Sequence, residues 1–168
     1  MQTIKLLESD DINIIVKAFV ESNWIEKPSS LFHKYLDEQN KNERIVWLSY
    51  YEDKFDGYIT LKWQSEYLLF KERNIPEIKD LNVLPQYRCR GVGTKLMDIA
   101  EQEAFKRFGI VGIGVGLYPD YGPAQRLYVK RGYIPDGKGI AYYNRTLSAG
   151  DNIVLDDELV LWMLKQKK

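Results

Sequence analysis

Residues 77–108 hold the feature that most narrows what this chain can fold into. A β-rich run from about Glu77 to Leu84 stops at Pro85, glycines follow at Gly91 and Gly93, and helically spaced apolar residues (Val92, Leu96, Ile99, Ala100, Ala104) then continue to about Phe108. Strand, glycine turn and helix in that order bring backbone N–H groups together at the positive end of a helix dipole, which favours an anion. Gly91 and Gly93 carry no side chains to keep a phosphate away, and Arg88 and Arg90 add fork-shaped donors beside the same turn. The Walker pattern is absent, and so is the third glycine of the dinucleotide fingerprint. On the residues alone, an anion cradle and a plain tight turn both stay open.

The remaining elements surround this unit. Ile4, Leu6 and Leu7 predict a short strand, and Glu8-Ser9-Asp10-Asp11 supply capping side chains for a helix over roughly 10–20. Pro28 opens a second helix through about Gln39. The β-rich runs 45–51 and 55–63, divided by Glu52-Asp53-Lys54, predict an antiparallel hairpin. Ile110 to Leu117 reads as a buried strand, and Gly122-Pro123 opens a helix to about Arg131. Weaker strand signals lie at 133–134, 141–143 and 158–164. A hairpin followed by β-α-β-α predicts an α/β fold: one mixed, mostly antiparallel central sheet of about six to seven strands flanked by helices, in a single domain over 1–168.

Composition removes several function classes. Lys and Arg number 24 against 24 Asp and Glu, so no global field draws the chain to nucleic acid or to an anionic membrane. Cys89 is the only cysteine and His33 the only histidine, which excludes an internal disulfide and leaves no cysteine or imidazole cluster for a metal. No run approaches the roughly 18 apolar residues of a membrane span, and the first ten residues lack a secretory pattern. The expectation is a cytoplasmic protein, in which the sequon Asn144-Arg145-Thr146 has no role.

Arg88-Cys89-Arg90-Gly91-Val92-Gly93 resembles the Arg/Gln-x-x-Gly-x-Gly/Ala signature of the GNAT superfamily of N-acetyltransferases, preceded as there by a strand ending Leu81-Asn82-Val83-x-Pro85. A second stretch, Ala124-Gln125-Arg126-Leu127-Tyr128-Val129-Lys130-Arg131-Gly132-Tyr133, is similar to that family's Ala-x-x-Leu-Tyr-x-Lys-x-Gly-Phe/Tyr helix. The element order agrees from about residue 1 to 145. This resemblance implies a GNAT-like fold with splayed strands and transfer of acetyl from acetyl-coenzyme A to a primary amine by direct attack, with no metal. The backbone of Leu81, Asn82 and Val83 is then expected to pair with pantetheine, and the amides of Arg88, Cys89, Arg90, Gly91, Val92, Gly93 and Thr94 to hold the pyrophosphate. The acceptor, whether a small molecule, an antibiotic or a protein amine, is not legible. A homodimer is compatible with the family. The alternative is an acyl-coenzyme A-binding regulatory module without turnover.

The resemblance also implies roles for single residues. Glu77, fourteen residues before Gly91, stands where family members carry a strand glutamate base, with an exposed strand-end carboxylate as the other reading. Asp80 is the second candidate, and in a regular strand the two side chains point to opposite faces. Burial of Glu77, or an ordered water, is expected to match it to an amine. Tyr128 is expected to donate a proton to the departing thiolate, against plain packing. Tyr121 replaces the asparagine often found three residues before the helix alanine, so that residue's contacts do not carry over. Tyr118, Asp120 and Tyr121 either line the acceptor side or shape the loop, and Gly112, Gly114 and Gly116 fit either a close ligand or large neighbouring side chains. Trp24, Phe32 and Tyr35 read as core or as an acceptor wall, and Asp151 to Glu158 as a solvated loop or an attractor of cations. His33 reads as an ordinary helix residue. Cys89 is flanked by two arginines, but direct transfer needs no thiol nucleophile.

Overall fold

A computed structural model describes residues 1–168. Along the chain run β1 (Gln2–Leu6), α1 (Asp11–Glu21), α2 (Ser29–Asn40), β2 (Arg44–Tyr51), β3 (Lys54–Lys62), α3 (Leu68–Glu72), β4 (Glu77–Val83), α4 (Val92–Arg107), β5 (Ile110–Gly116), α5 (Gly122–Lys130), β6 (Ile134–Tyr142), β7 (Arg145–Thr146) and β8 (Leu159–Gln166). Short 3-10 turns lie at Pro85–Tyr87 and Pro119–Tyr121. Eight strands, one more than the upper expectation, form one sheet in the order β1-β2-β3-β4-β5-β8-β6-β7. The extra member is the two-residue β7. The chain divides into two compact units, Met1–Lys62 with Lys79–Glu103, and Trp63–Ile78 with Ala104–Lys168.

In the first unit the capping stretch Glu8-Ser9-Asp10-Asp11 acts through its last residue. Asp10 makes no side-chain cap bond. Asp11, buried, instead accepts the Glu8 N–H at 3.0 Å, accepts the Tyr50 hydroxyl at 2.8 Å and pairs with Lys5 at 2.9 Å. The apolar face of α1, Ile12, Ile15 and Phe19, joins Phe32 and Tyr35 of α2 over Leu48 and Tyr58 of the hairpin. Phe32 stands edge-on to Tyr58 at 5.4 Å and to Tyr35 at 6.1 Å, so these rings are core. Trp24 is half-buried and stacks on Phe19.

The β2–β3 hairpin is antiparallel from Arg44 opposite Lys62 to Ser49 opposite Gly57, and its register then shifts so that Tyr50 faces Phe55. The shift leaves Asp56 as the extra residue. Its carbonyl accepts the Leu84 N–H at 2.9 Å, while its fully buried carboxylate oxygens have no hydrogen-bond partner. Burial pushes this carboxyl above the usual range, opposed by the neighbouring Ser49 hydroxyl and the Lys95 charge. The fold therefore favours the protonated form, and Asp56 costs stability as pH rises from the unfolded carboxylate range through the raised folded value. Asp56→Asn is expected to be more stable than the parent near neutral pH and to match it in acid. Urea unfolding at about pH 4 and about pH 8 reads the difference; an Asn variant that is weaker at the higher pH contradicts it.

In the second unit β4 begins beside β5 in parallel, Glu77 opposite Gly112 and Ile78 opposite Ile113. β8 runs antiparallel to β5 from Gln166 opposite Ile110 to Val160 opposite Gly116, and also pairs with β6. The alternating glycines of β5 now have an explanation. A Cβ on Gly112 falls 2.0 Å from the Phe70 ring, on Gly114 2.7 Å from Val160, and on Gly116 2.4 Å from the Tyr121 ring. Side chains fill each vacated space. Phe70 belongs to α3, and with Tyr67 and Trp162 it forms a tight aromatic cluster, Tyr67 and Trp162 stacking at 4.6 Å.

Candidate active site

The site begins at the end of β4. Gly57 of β3 lies so close to that strand that an added Cβ stands 2.6 Å from the Asn82 carbonyl oxygen. Asn82 is buried, and its side-chain nitrogen donates to the Asp80 carbonyl at 3.1 Å. Leu81 and Val83 are half-buried. The chain then passes Pro85–Tyr87 and enters a turn with Cys89 at φ 60° and Gly91 at φ 81°. Only glycine takes the left-handed region without cost, so Gly91 answers a backbone demand. Cys89 meets the same demand with a side chain, exposed and unpaired with another cysteine.

The helix α4 starts immediately afterwards at Val92, and its first ladder bond runs from the Lys95 N–H to the Gly91 carbonyl at 3.1 Å. The amides of Val92, Gly93 and Thr94 precede that bond and have no helical acceptor. A Cβ on Gly91 meets nothing within 4 Å. The space beside Gly91 is thus open, and the helix N-terminus that follows it favours an anion. Arg88 is braced rather than loose: its Nε donates to the Val83 carbonyl at 3.1 Å, and its guanidinium lies 4.2 Å over the Trp24 ring. Arg90 is exposed, 5.8 Å over Tyr87. The glycine turn and the strand end therefore come together in the first unit, with Trp24 as a support that sequence reading placed elsewhere.

Glu77 and Tyr128 lie in the second unit. Glu77 is 3 % exposed, which removes the strand-end reading; the Ser65 hydroxyl donates to its Oε2 at 2.6 Å, and that hydroxyl in turn accepts the Tyr67 N–H at 3.1 Å. Tyr128 is buried on α5, its ring 5.9 Å from Tyr133. The preceding loop is held by an acid. Tyr118 and Tyr121 both donate their hydroxyls to Asp157, the latter at 2.9 Å, and Tyr142 donates to Asp156 at 3.0 Å. The bond to Asp157 leads the causes that push the Tyr118 phenol up to about 12. Part of the acidic stretch is therefore a clasp on its own tyrosines.

Asp80 departs from the regular strand assumed for it. Its φ of 54° interrupts the extended backbone, so side-chain alternation cannot be counted through it from Glu77. It accepts a short hydrogen bond from the Tyr35 hydroxyl and lies 3.9 Å from Arg44 Nη1. Arg44 is buried, donates to Glu38 at 2.5 Å and to Thr60 at 2.7 Å, and stacks on the Tyr35 ring at 4.2 Å. Sequence reading singled out neither Arg44 nor Glu38. A charged residue opening an apolar strand was the available signal.

Comparison with known proteins gives the family and the fold. The acetyltransferase (GNAT) family profile matches residues 10–133, and the chain belongs to that family. It is 28% identical over 116 residues to an uncharacterized N-acetyltransferase of Archaeoglobus fulgidus, covering 62% of this chain and 74% of that protein. Among solved structures, a GNAT-family acetyltransferase from Desulfovibrio desulfuricans superposes with TM-score 0.71 at 12% identity, covering 99% of each chain. The acetyltransferase yncA of Salmonella typhimurium, solved with acetyl-CoA, gives 0.68 at 18%, covering 98% of this chain and 93% of its own. The similarity to the two solved structures is one of fold. No helix is long and apolar enough to cross a membrane.

Proposed function

We propose that the chain transfers acetyl from acetyl-coenzyme A to a primary amine, its two units acting as one N-acetyltransferase domain. The observation that carries this reading is the open left-handed turn at Gly91 leading into the first amides of α4, which lie ahead of its helical ladder, with Arg88 and Arg90 beside it. In this reading the amides from Arg88 to Thr94 hold the pyrophosphate, and the backbone of Leu81, Asn82 and Val83 pairs with pantetheine. The family profile, which runs through both units, supports a single working domain.

An alkylammonium with pKa near 10 is only about one part in a thousand neutral at pH 7. Glu77, buried and bonded to Ser65, is the base we assign to remove that proton, directly or through water. The amine nitrogen then attacks the thioester carbonyl; the C–N bond forms, the C–S bond breaks, and the thiolate takes a proton from the Tyr128 hydroxyl. General acid and base groups contribute roughly 10²–10⁴ in rate, and holding the reactants together contributes further. Tyr128→Phe and Glu77→Gln are accordingly expected to lower kcat within that range without abolishing turnover, and to bind acetyl-coenzyme A as the parent does. Steady-state thiol release with calorimetry of the same variants checks this. An unchanged kcat in both variants contradicts the assigned roles.

A further inference from the structure

β3 and β4 are neighbours in the sheet, yet the chain between them, 63–76, is longer than a hairpin turn and carries α3. That connection delivers one buried hydroxyl to Glu77. Ser65 is 1% exposed, and its Oγ donates to Glu77 Oε2 at 2.6 Å, the length of a hydrogen bond to an ionised carboxylate. A serine hydroxyl has a single proton. Its oxygen here already accepts the Tyr67 N–H at 3.1 Å, so the proton is turned away from that amide and toward the carboxylate. Tyr67 is itself pinned: its ring stacks on Trp162 at 4.6 Å, and its hydroxyl donates to Asp136 at 2.8 Å. Phe70, from the same connection, fills the space that Gly112 leaves opposite Glu77 in the β4–β5 pair. All of these residues belong to the second unit.

We infer that Ser65 is the positioning residue for the base: its hydroxyl fixes Glu77 Oε2 in one place and holds the carboxylate in its proton-accepting form. Burial favours a neutral acid, whereas a donated hydrogen bond favours the ion. A base has to begin without the proton and within reach of the amine. Glutamate reaches its carboxylate through three rotatable bonds, and a misplacement of about 1 Å in a reacting group costs up to about a hundredfold in rate. Ser65 exchanges no proton with the acceptor; it acts through Glu77. The inference therefore rests on Glu77 being the base, as proposed above.

Two readouts on Ser65→Ala, Glu77→Gln and the double variant test it. With glutamate labelled at the δ-carbon, the Glu77 carboxyl resonance is the one lost in Glu77→Gln. Near neutral pH Ser65→Ala is expected to shift that resonance, and an unmoved resonance overturns the contact. With the primary amine that gives the fastest thiol release, Ser65→Ala is expected to lower kcat about tenfold at near-parental KM, as loss of a charge-assisted hydrogen bond allows. Ser65→Thr keeps the hydroxyl and is expected to restore most of the rate. A threonine too large for the site shows as a lowered unfolding midpoint, and the double variant then decides alone. In the Glu77→Gln background Ser65→Ala is expected to cost nothing further in kcat, because the group it acts through is gone. A serine that merely shapes the connection lowers kcat equally in both backgrounds. That result, or a parental kcat in Ser65→Ala, overturns the positioning role while the base stands. A parental kcat in Glu77→Gln, or no thiol release with any amine, removes the base assignment itself and this role with it.

Discussion

Gly91→Val is expected to fold and to lose about a hundredfold in affinity for acetyl-coenzyme A. The two halves of that expectation come from different facts. A Cβ at this position meets no atom within 4 Å, so the substitution creates no internal clash. The backbone sits at φ 81°, where a β-branched residue is strained, and the turn is expected to relax toward negative φ. Relaxation swings the amides ahead of the Lys95–Gly91 bond away from a common point. Loss of two charge-assisted bonds at roughly 1.5 kcal/mol each amounts to about two decades in Kd. Calorimetric titration of a variant with a parent-like circular dichroism spectrum checks it, and parent-like affinity removes the cradle assignment.

The second large effect is on stability. Gly57→Ala puts a methyl 2.6 Å from the Asn82 carbonyl oxygen and 3.2 Å from the Val83 Cα, both backbone atoms of the strand that leads to the cradle. Backbone cannot step aside as a flexible side chain does, so β3 and β4 must separate. We expect a loss of about 3 kcal/mol, at the upper end for overpacking, seen as a lower urea midpoint at unchanged slope. The same displacement moves Leu81, Asn82 and Val83, so on the proposed assignment coenzyme affinity is expected to fall too. A midpoint within experimental scatter of the parent contradicts this account of β3–β4 spacing.

Local chemistry made much of the fold legible before any coordinates. Pro85, Gly91, the apolar spacing of α4 and the hairpin turn at Glu52-Asp53 are short-range signals, and the corresponding elements lie within a residue or two of their expected bounds. β6 reads only as two fragments because Pro135, Gly137 and Gly139 are local breakers; pairing with β8 carries the strand across them with a register shift between Pro135 and Ile140. α3 is too short for periodicity to register, and what holds it is Phe70 seated against Gly112 and Trp162.

The same division applies to the candidate site. The proposed cradle depends on glycines and arginines adjacent in the chain, so its place was visible. The left-handed backbone at Asp80 was not, since aspartate carries no compulsion toward it. The Glu38–Arg44–Asp80 cluster joins three elements, and its pairing is set by tertiary contact. Glycine spacing in β5 was visible but ambiguous until Phe70, Val160 and Tyr121 were seen to occupy the gaps. Asp56 stands out only once its burial without a partner is known.

The most direct test of the central claim is release of free coenzyme A thiol from acetyl-coenzyme A across a broad panel of amines and peptides, with mass spectrometry of the acceptor. At least one primary amine is expected to gain one acetyl group per thiol released, with the rate depressed in Tyr128→Phe and Glu77→Gln. Tight binding of acetyl-coenzyme A with no thiol release above buffer for any acceptor contradicts it.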